Sequence, residues 1–410
     1  MAVRLQLVPG RERPDLLGLP WAIPLSEWDH LRLVRMVMGP SRHVVRSVRD
    51  GERVYALKEM PAPDAEREYA MLRLLAAERL PAVEVVGLVT GRETPDGERL
   101  DAVLVTRYLD YSLPFHHLFS AEGVPGPGFG RRLVDAGVVL LARLHLDGVF
   151  WGDCSLPNLL FRRDAGALMA YLVDAETAER HQPLPEGMRH ADLELARENV
   201  VGGLLDLRAA GNLPADVDVV VVADRLEERY RLLWDELTGT EEVDAGEHHL
   251  IERRLRRLNH LGFDVDELVV EHDAAVDRLR IRPAVVEEGH HCRELRRLTG
   301  LEVQENQARR LLNDIASFGA HLSHREGHPL PQAVVAARWI AEVYEPVVAR
   351  VPDDLAGRLE PAELFHELLE HRYYLSEAAG HEVDNDTALA SYLESVLRFR
   401  TVERVLLADE

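Results

Sequence analysis

An Asp-Gly pair at positions 50 and 51, set between two β-rich runs, constrains this chain more than any other local feature. Such a pair between alternating runs marks a tight hairpin, because the turn that suits twisted strands needs positive φ at its central residues. Residues 43–48 form one arm and residues 52–60 the other, and a preceding run, 31–38, is set off by Gly39-Pro40-Ser41. Side chains alternate between faces along a strand, so Ala56 and Lys58 share one face of the last arm. Lys58 is the single lysine of a chain with forty-seven arginines. A GC-rich genome converts surface lysine to arginine at little chemical cost, so the retained ammonium marks a position where a compact charge on a flexible stem is required.

After the hairpin, Asp64 reads as the N-cap of a helix running to about residue 80, with Tyr69, Leu72, Leu75 and Ala76 at helical spacing. Pro81 ends it, and strands follow at 83–90 and 99–109. The first 107 residues therefore read β-β-β-α-β-β. A helix at 129–146 follows Gly126-Pro127-Gly128 and is closed by Gly148. The segment VFWGDCSLPNLLF (149–161) and two short strands precede helical periodicity that resumes near His190 and continues almost to the end.

The 410 residues exceed one ordinary core, and no apolar run reaches the length of a membrane-spanning helix. Residues 1–15 show no secretory signal, and two cysteines cannot build a disulfide framework, so a reduced, cytoplasmic protein is expected. A net charge of −23 excludes a general nucleic-acid or anionic-membrane binder; the basic run at 253–257 reads as a solvated helix face.

Lys58 near a strand end, Glu68 in the next helix, Asp153 and Asn158 five residues apart in a loop containing Pro157, and Asp174 after an apolar strand make an ordered set. Phosphoryl transfer needs such a set: a cation on the phosphates, a carboxylate holding that cation, a second carboxylate at the attacking hydroxyl, and hard oxygen ligands for Mg²⁺. Glu66 is the competing partner for Lys58, but Glu68 shares a face with Leu72 and Leu75.

Residues 31–210 resemble the protein-kinase-like fold, and within it the bacterial lipopolysaccharide (Kdo/heptose) kinase group. LHLDGVFWGDCSLPNLLF is similar to the catalytic loop of those families, YALKEM to their lysine-bearing strand, and YLVDAET to their metal-binding segment. The resemblance implies an α+β, bilobal core, with an N-lobe over 1–107, a C-lobe over 108–212 and a mostly helical C-terminal domain over 213–410. It implies ATP and Mg²⁺ as cofactors. Lys58 would contact the phosphates and pair with Glu68, Asp153 would orient the acceptor hydroxyl, and Asn158 and Asp174 would bind Mg²⁺. Gly39 and Ser41 would cover the phosphates, Ala56 would make room for adenine, and Tyr108 and Leu109 would form the hinge.

The sequence departs from the family pattern at Trp151, where a histidine is usual, at Ser155, and at Ala175-Glu176 after Asp174. No long activation segment follows, which favours a small-molecule or glycoconjugate acceptor over a protein kinase's substrate. A catalytically silent nucleotide-binding protein is the second reading, and a helical module that captures a protein partner through residues 213–410 is the third. The C-terminal half resembles the appended domain of an uncharacterised bacterial family, and its polar cluster Gln304, Asn306, Gln307, Arg309 and Arg310 is expected to serve capping and salt bridges. His290-His291-Cys292 lacks a second spaced pair and is not read as a zinc site.

Overall fold

The computed structural model describes residues 3–9, 14–36, 42–115, 129–213, 217–239, 241–244, 267–273, 278–284, 290–326, 328–381, 383–400 and 402, with side chains described outside 129–131 and 241–284. Gly39, Ser41, Gly126-Pro127-Gly128 and the basic run 253–257 lie outside the described residues.

The N-lobe is a six-stranded antiparallel sheet of β1 (Arg4–Leu7), β2 (Leu33–Val34), β3 (Val44–Asp50), β4 (Arg53–Met60), β5 (Val85–Thr90) and β6 (Ala102–Arg107), in the order β1-β5-β6-β4-β3-β2. The hairpin forms as expected, with Val45 opposite Lys58 and Gly51 at φ +61. Helix α1 (Ala62–Ala77) starts one residue after Pro61. Asp64 therefore sits inside the first turn, paired with Arg67, and is not the N-cap that the sequence suggested. Two prolines at 61 and 63 set the start instead, since neither needs the N–H it lacks there.

Alternation along β4 separates two environments. Tyr55 and Leu57 face the back of the sheet, where they are buried against Leu16, Leu19, Trp21, Leu25 and Trp28. The Trp21 and Trp28 rings meet edge to face with centroids 5.2 Å apart. Arg92 is buried in this layer and donates to the carbonyls of Trp21, Ile23 and Asp101 while pairing with Glu59 at 2.6 Å. This N-terminal cover and strand β1 had no counterpart in the sequence reading. Ala56 and Lys58 face the other way, toward the C-lobe.

The C-lobe contains β7 (Leu113–Pro114), α2 (Phe129–Leu146), β8 (Val149–Phe150), β9 (Leu159–Asp164), β10 (Ala167–Leu172), β11 (Glu179–Arg180), α3 (Glu186–Ala209) and α4 (Val219–Thr238). A single core runs from Leu72 and Leu75 of α1 through Leu140, Leu144 and Trp151 to Leu204 and Leu233. Helix α4 lies beyond the expected break at 212–213, yet Val219, Ala223, Leu226, Tyr230, Leu233 and Leu237 are buried in this same core.

The rest of the chain begins with three antiparallel strands, β12 (Glu241–Asp244), β13 (Glu267–Asp273) and β14 (Arg278–Ala284), in the order β12-β14-β13. The sequence indicated one strand here, near 279–286; β14 covers most of it. Helices α5 (His290–Thr299), α6 (Glu305–Glu326), α7 (Gln332–Trp339), α8 (Glu345–Ala349), α9 (Pro361–Ala379) and α10 (Asn385–Ser395) enclose a second core centred on Trp339, Tyr344 and Phe365. The architecture is α+β, a bilobal core followed by a largely helical body.

Candidate functional site

Lys58 projects from the front of β4 into the cleft between the lobes. Its Nζ lies 2.9 Å from Glu68 Oε2, 2.8 Å from Asp174 Oδ2 and 3.8 Å from Glu176 Oε2. Glu68 comes from α1, where its side chain is buried, while Glu66 on the same helix is exposed. The second oxygen of Glu68 accepts the Ala175 N–H at 3.5 Å, so this carboxylate ties the helix both to the lysine and to the segment after β10.

Burial alone would lower the Lys58 pKa, but Glu68 and Asp174 more than offset it and hold the ammonium charged. Glu68 is pushed up to about 7, first by burial and then by repulsion from Asp174, with Lys58 acting against both. Three carboxylates surround one ammonium, so the cluster carries excess negative charge. Glu68, Asp174 and Glu176 each bring an oxygen within 4.8 Å of the others, the kind of hard donor set that suits a divalent cation such as Mg²⁺.

The loop that follows β8 presents Asp153. Asp192 of α3, fully buried, accepts the N–H of Trp151 at 2.7 Å and of Gly152 at 2.9 Å, and also pairs with His145 Nε2 at 3.0 Å. His145 is thus a core residue that holds Asp192, and burial lowers its pKa. Gly152 adopts φ +76, and a Cβ there would lie 2.9 Å from Phe150 and 3.2 Å from the Thr177 carbonyl, so the turn is restricted to glycine. Trp151 fills the core beneath the loop, and its indole N–H donates to the Asp174 carbonyl at 2.9 Å. A tryptophan at this position thus links the Asp153 loop directly to the Asp174 segment.

Asn158 donates its amide to the Asp153 carbonyl at 3.1 Å, and the Val173 N–H donates to the Asn158 carbonyl at 3.1 Å. Asp153 is therefore tied to the Asn158 side chain, and the Asn158 backbone to the segment that carries Asp174, at the base of one hairpin. Cys154 is buried, and burial pushes its thiol well up, which leaves an inert packed side chain. At the expected hinge, the N–H of Tyr108 is already bonded to the Val54 carbonyl at 2.9 Å, and the Leu109 carbonyl accepts from Ser112 Oγ at 2.6 Å. Ala56 is half-buried on the cleft face.

Two side chains at the site escaped the sequence reading as participants. Glu176 also meets His43 Nε2 at 3.0 Å and Arg42 at 3.6 Å, a link between the start of β3 and the Asp174 segment. Its position two residues after Asp174 was the available signal. Asn199 of α3 donates to Asp153 Oδ1 at 3.3 Å, and no local pattern marks it. At the other end of the chain, His291 and Cys292 bond to Glu305 and Val303; among the described residues the only group of metal-ligating side chains is the one around Lys58.

Residues 42–203 match the lipopolysaccharide kinase (Kdo/WaaP) family, and residues 232–397 match a domain of unknown function (DUF4032). The chain is thus a kinase, with a lipopolysaccharide-kinase-type core and an appended second domain. No curated protein matches the sequence. Among solved structures, one described as WaaP in complex with acyl carrier protein aligns with 63% of this chain and 99% of its own, at 18% identity and a TM-score of 0.34. No helix among the described residues is long and apolar enough to cross a membrane.

Proposed function

We propose that this kinase transfers the γ-phosphoryl group of ATP, with Mg²⁺, to a hydroxyl of a small molecule or glycoconjugate. The observation that carries the reading is Lys58 held between Glu68 and Asp174, opposite a loop in which Asp192 fixes the backbone beside Asp153. In this reading Lys58 contacts the α/β-phosphates, and Glu68 keeps the ammonium aimed at them. Asp153 accepts the proton of the acceptor hydroxyl or orients it, and Asn199 holds one of its oxygens so that the other faces the acceptor. Asn158 and Asp174, with Glu176 beside them, hold the metal, which neutralises charge on the phosphates. Adenine packs against Ala56, and because the Tyr108 N–H is already taken, the purine edge meets the Tyr108 carbonyl or the peptide of Leu109. Gly39 and Ser41 cover the phosphates.

From Asp174 to the start of α3 at Glu186 the chain is too short for a long regulated activation segment, which supports a small acceptor over a protein substrate. The family match supports a sugar-bearing acceptor. Two reduced cysteines support a cytoplasmic site of action.

The decisive experiment incubates the full chain with γ-labelled ATP, Mg²⁺ and fractions of cytoplasmic metabolites and glycolipids. Label transfer that needs Mg²⁺ and is lost in Asp153→Asn supports the reading; absence of both transfer and Mg²⁺-dependent ATP binding ends it. A silent nucleotide-binding protein is the second reading, favoured by Glu176, which occupies Lys58 and His43 together. It predicts thermal stabilisation by ATP with no turnover in any fraction.

A further inference from the structure

We propose that the appended domain positions the metal ligands of the core, and that Glu363 of α9 is its principal positioning residue. This rests on the assignment of Asn158 and Asp174 as metal ligands. Those two residues flank the open end of the β9–β10 hairpin, where Leu159 faces Leu172 and the Val173 N–H closes the ladder on the Asn158 carbonyl. The closed end, Asp164 to Ala167, is about 17 Å away at the usual rise of a strand. A two-stranded hairpin is marginal by itself, and the third strand of this sheet, β7, is only two residues long. Leu159, Phe161, Ala170 and Leu172 seat the hairpin in the first core, but something must still hold its tip if the base is to present ligands to a metal within the fraction of an ångström that function demands.

The helical body does so. Both oxygens of Glu363 are used at the hairpin tip: Oε2 accepts the Ala165 N–H at 2.7 Å and Oε1 the Gly166 N–H at 3.1 Å. Ala165 and Gly166 sit at φ +51 and +83, a turn that points successive N–H groups at one carboxylate. Glu363 is 1% exposed and is itself held by Gln307 Nε2 at 3.0 Å. The exchange runs in the other direction as well. Asp164, buried at the end of β9, accepts the N–H groups of Asn306 at 3.2 Å and Gln307 at 2.8 Å, and so caps the start of α6 from another domain. Along the strands, Arg162 pairs with Glu360 at 2.8 Å, and the Tyr171 hydroxyl bonds to the Gln304 amide. Each of these groups is withdrawn from water, so losing one partner strands the other in a buried site, and the contacts act together.

The test uses the full chain and two readouts. Amide exchange at Val173, in protein without metal or nucleotide, reports the base of the hairpin directly. Glu363→Ala is expected to speed exchange at Val173 while leaving Leu104 of β6 unchanged, and Glu363→Asp to have a smaller effect in the same direction. In parallel, the Mg²⁺ concentration for half-maximal ADP binding is expected to rise about fivefold in Glu363→Ala, with Mg²⁺-free ADP binding unchanged. Arg338→Ala, which removes half-buried ion pairs to Glu326 and Glu342 elsewhere in the helical body, should alter neither. Val173 protection equal to wild type, while Ala165 and Gly166 exchange faster, overturns the proposal, because the tip then loosens without reaching the base. If wild type binds no Mg²⁺-nucleotide, the kinase reading fails, and the exchange at Val173 still decides whether Glu363 positions the hairpin. If Glu363→Ala does not fold, Glu363→Asp and Tyr171→Phe carry the same comparison.

Discussion

Lys58 sits in a space shaped by three carboxylates, the farthest 3.8 Å from its nitrogen. A guanidinium is broader and planar, with donors spread over a fork, and it cannot place one charge at the centre of that triangle. Lys58→Arg is therefore expected to lower kcat/KM by about two orders of magnitude, although arginine replaces lysine everywhere else in this chain. Asp153→Asn keeps the shape of the loop and removes the proton acceptor, so turnover should fall about a hundredfold or more while Mg²⁺·ATP binding stays unchanged. Steady-state kinetics and nucleotide titration separate the two effects. At this scale the sequence was informative where chemistry and local pattern coincide. Lys58, Asp153, Asn158 and Asp174 stand in recognisable strings, and Glu68 follows from the helical face it shares with Leu72. Asn199 was illegible because its contact with Asp153 depends on how α3 packs 46 residues further along, not on any neighbour in the chain.

The turn before Asp153 and the hairpin after it set what the elements tolerate. In Gly152→Ala the new methyl group meets Phe150 and the Thr177 carbonyl, on a backbone with φ +76. That change should destabilise the protein by about 1–3 kcal/mol, read as a lower denaturant midpoint, and should reduce turnover at temperatures where the fold survives. Asp164 offers a pH test of the cap it provides to α6. Burial pushes its carboxyl up to about 7 against the two N–H bonds, and repulsion from Glu363 and Glu360 adds to the rise. Arg162, paired with Glu360, and Tyr171 also face it. A carboxyl that binds its proton more tightly when folded contributes stability that is complete below the ordinary value of 3.8 and is lost as pH rises through about 7. Asp164→Asn should remove that part of the pH dependence, seen as a flatter profile of urea midpoint between pH 5 and pH 8. The polar cluster at 304–310 was read from sequence as capping and salt bridging, and Gln304, Asn306 and Gln307 do serve a helix start. Their partners on β9, β10 and α9 lie more than 50 residues away in either direction, which is why sequence alone showed the cluster and not the interface.

For the whole molecule, the two cores mark where the chain divides physically. Six buried side chains of α4 lie in the first core, and burial of the five larger ones, at about 1.5–3 kcal/mol each, is comparable with the entire net stability of a domain. A chain ending at residue 212 should therefore fail to fold, while one ending at residue 240 should melt cooperatively, though earlier than the full protein because Asp164, Arg162 and Tyr171 lose their partners. Circular dichroism on both truncations makes the comparison. The bilobal plan was legible from the hairpin, the helix and the loop strings. The N-terminal cover of Leu16, Trp21, Leu25 and Trp28 was not, because its apolar residues follow neither the period of a helix nor that of a strand.

One consequence of the lone lysine concerns how the protein can be observed. A protease specific for lysine has a single peptide bond to cut, after Lys58 in the middle strands of the N-lobe sheet, so a cleavage product appears only when that lobe opens. An amine-directed reagent likewise has one side-chain target, 14% exposed and engaged by carboxylates. The rate of its labelling becomes a direct meter of cleft occupancy, with the chain's own α-amine as the internal standard.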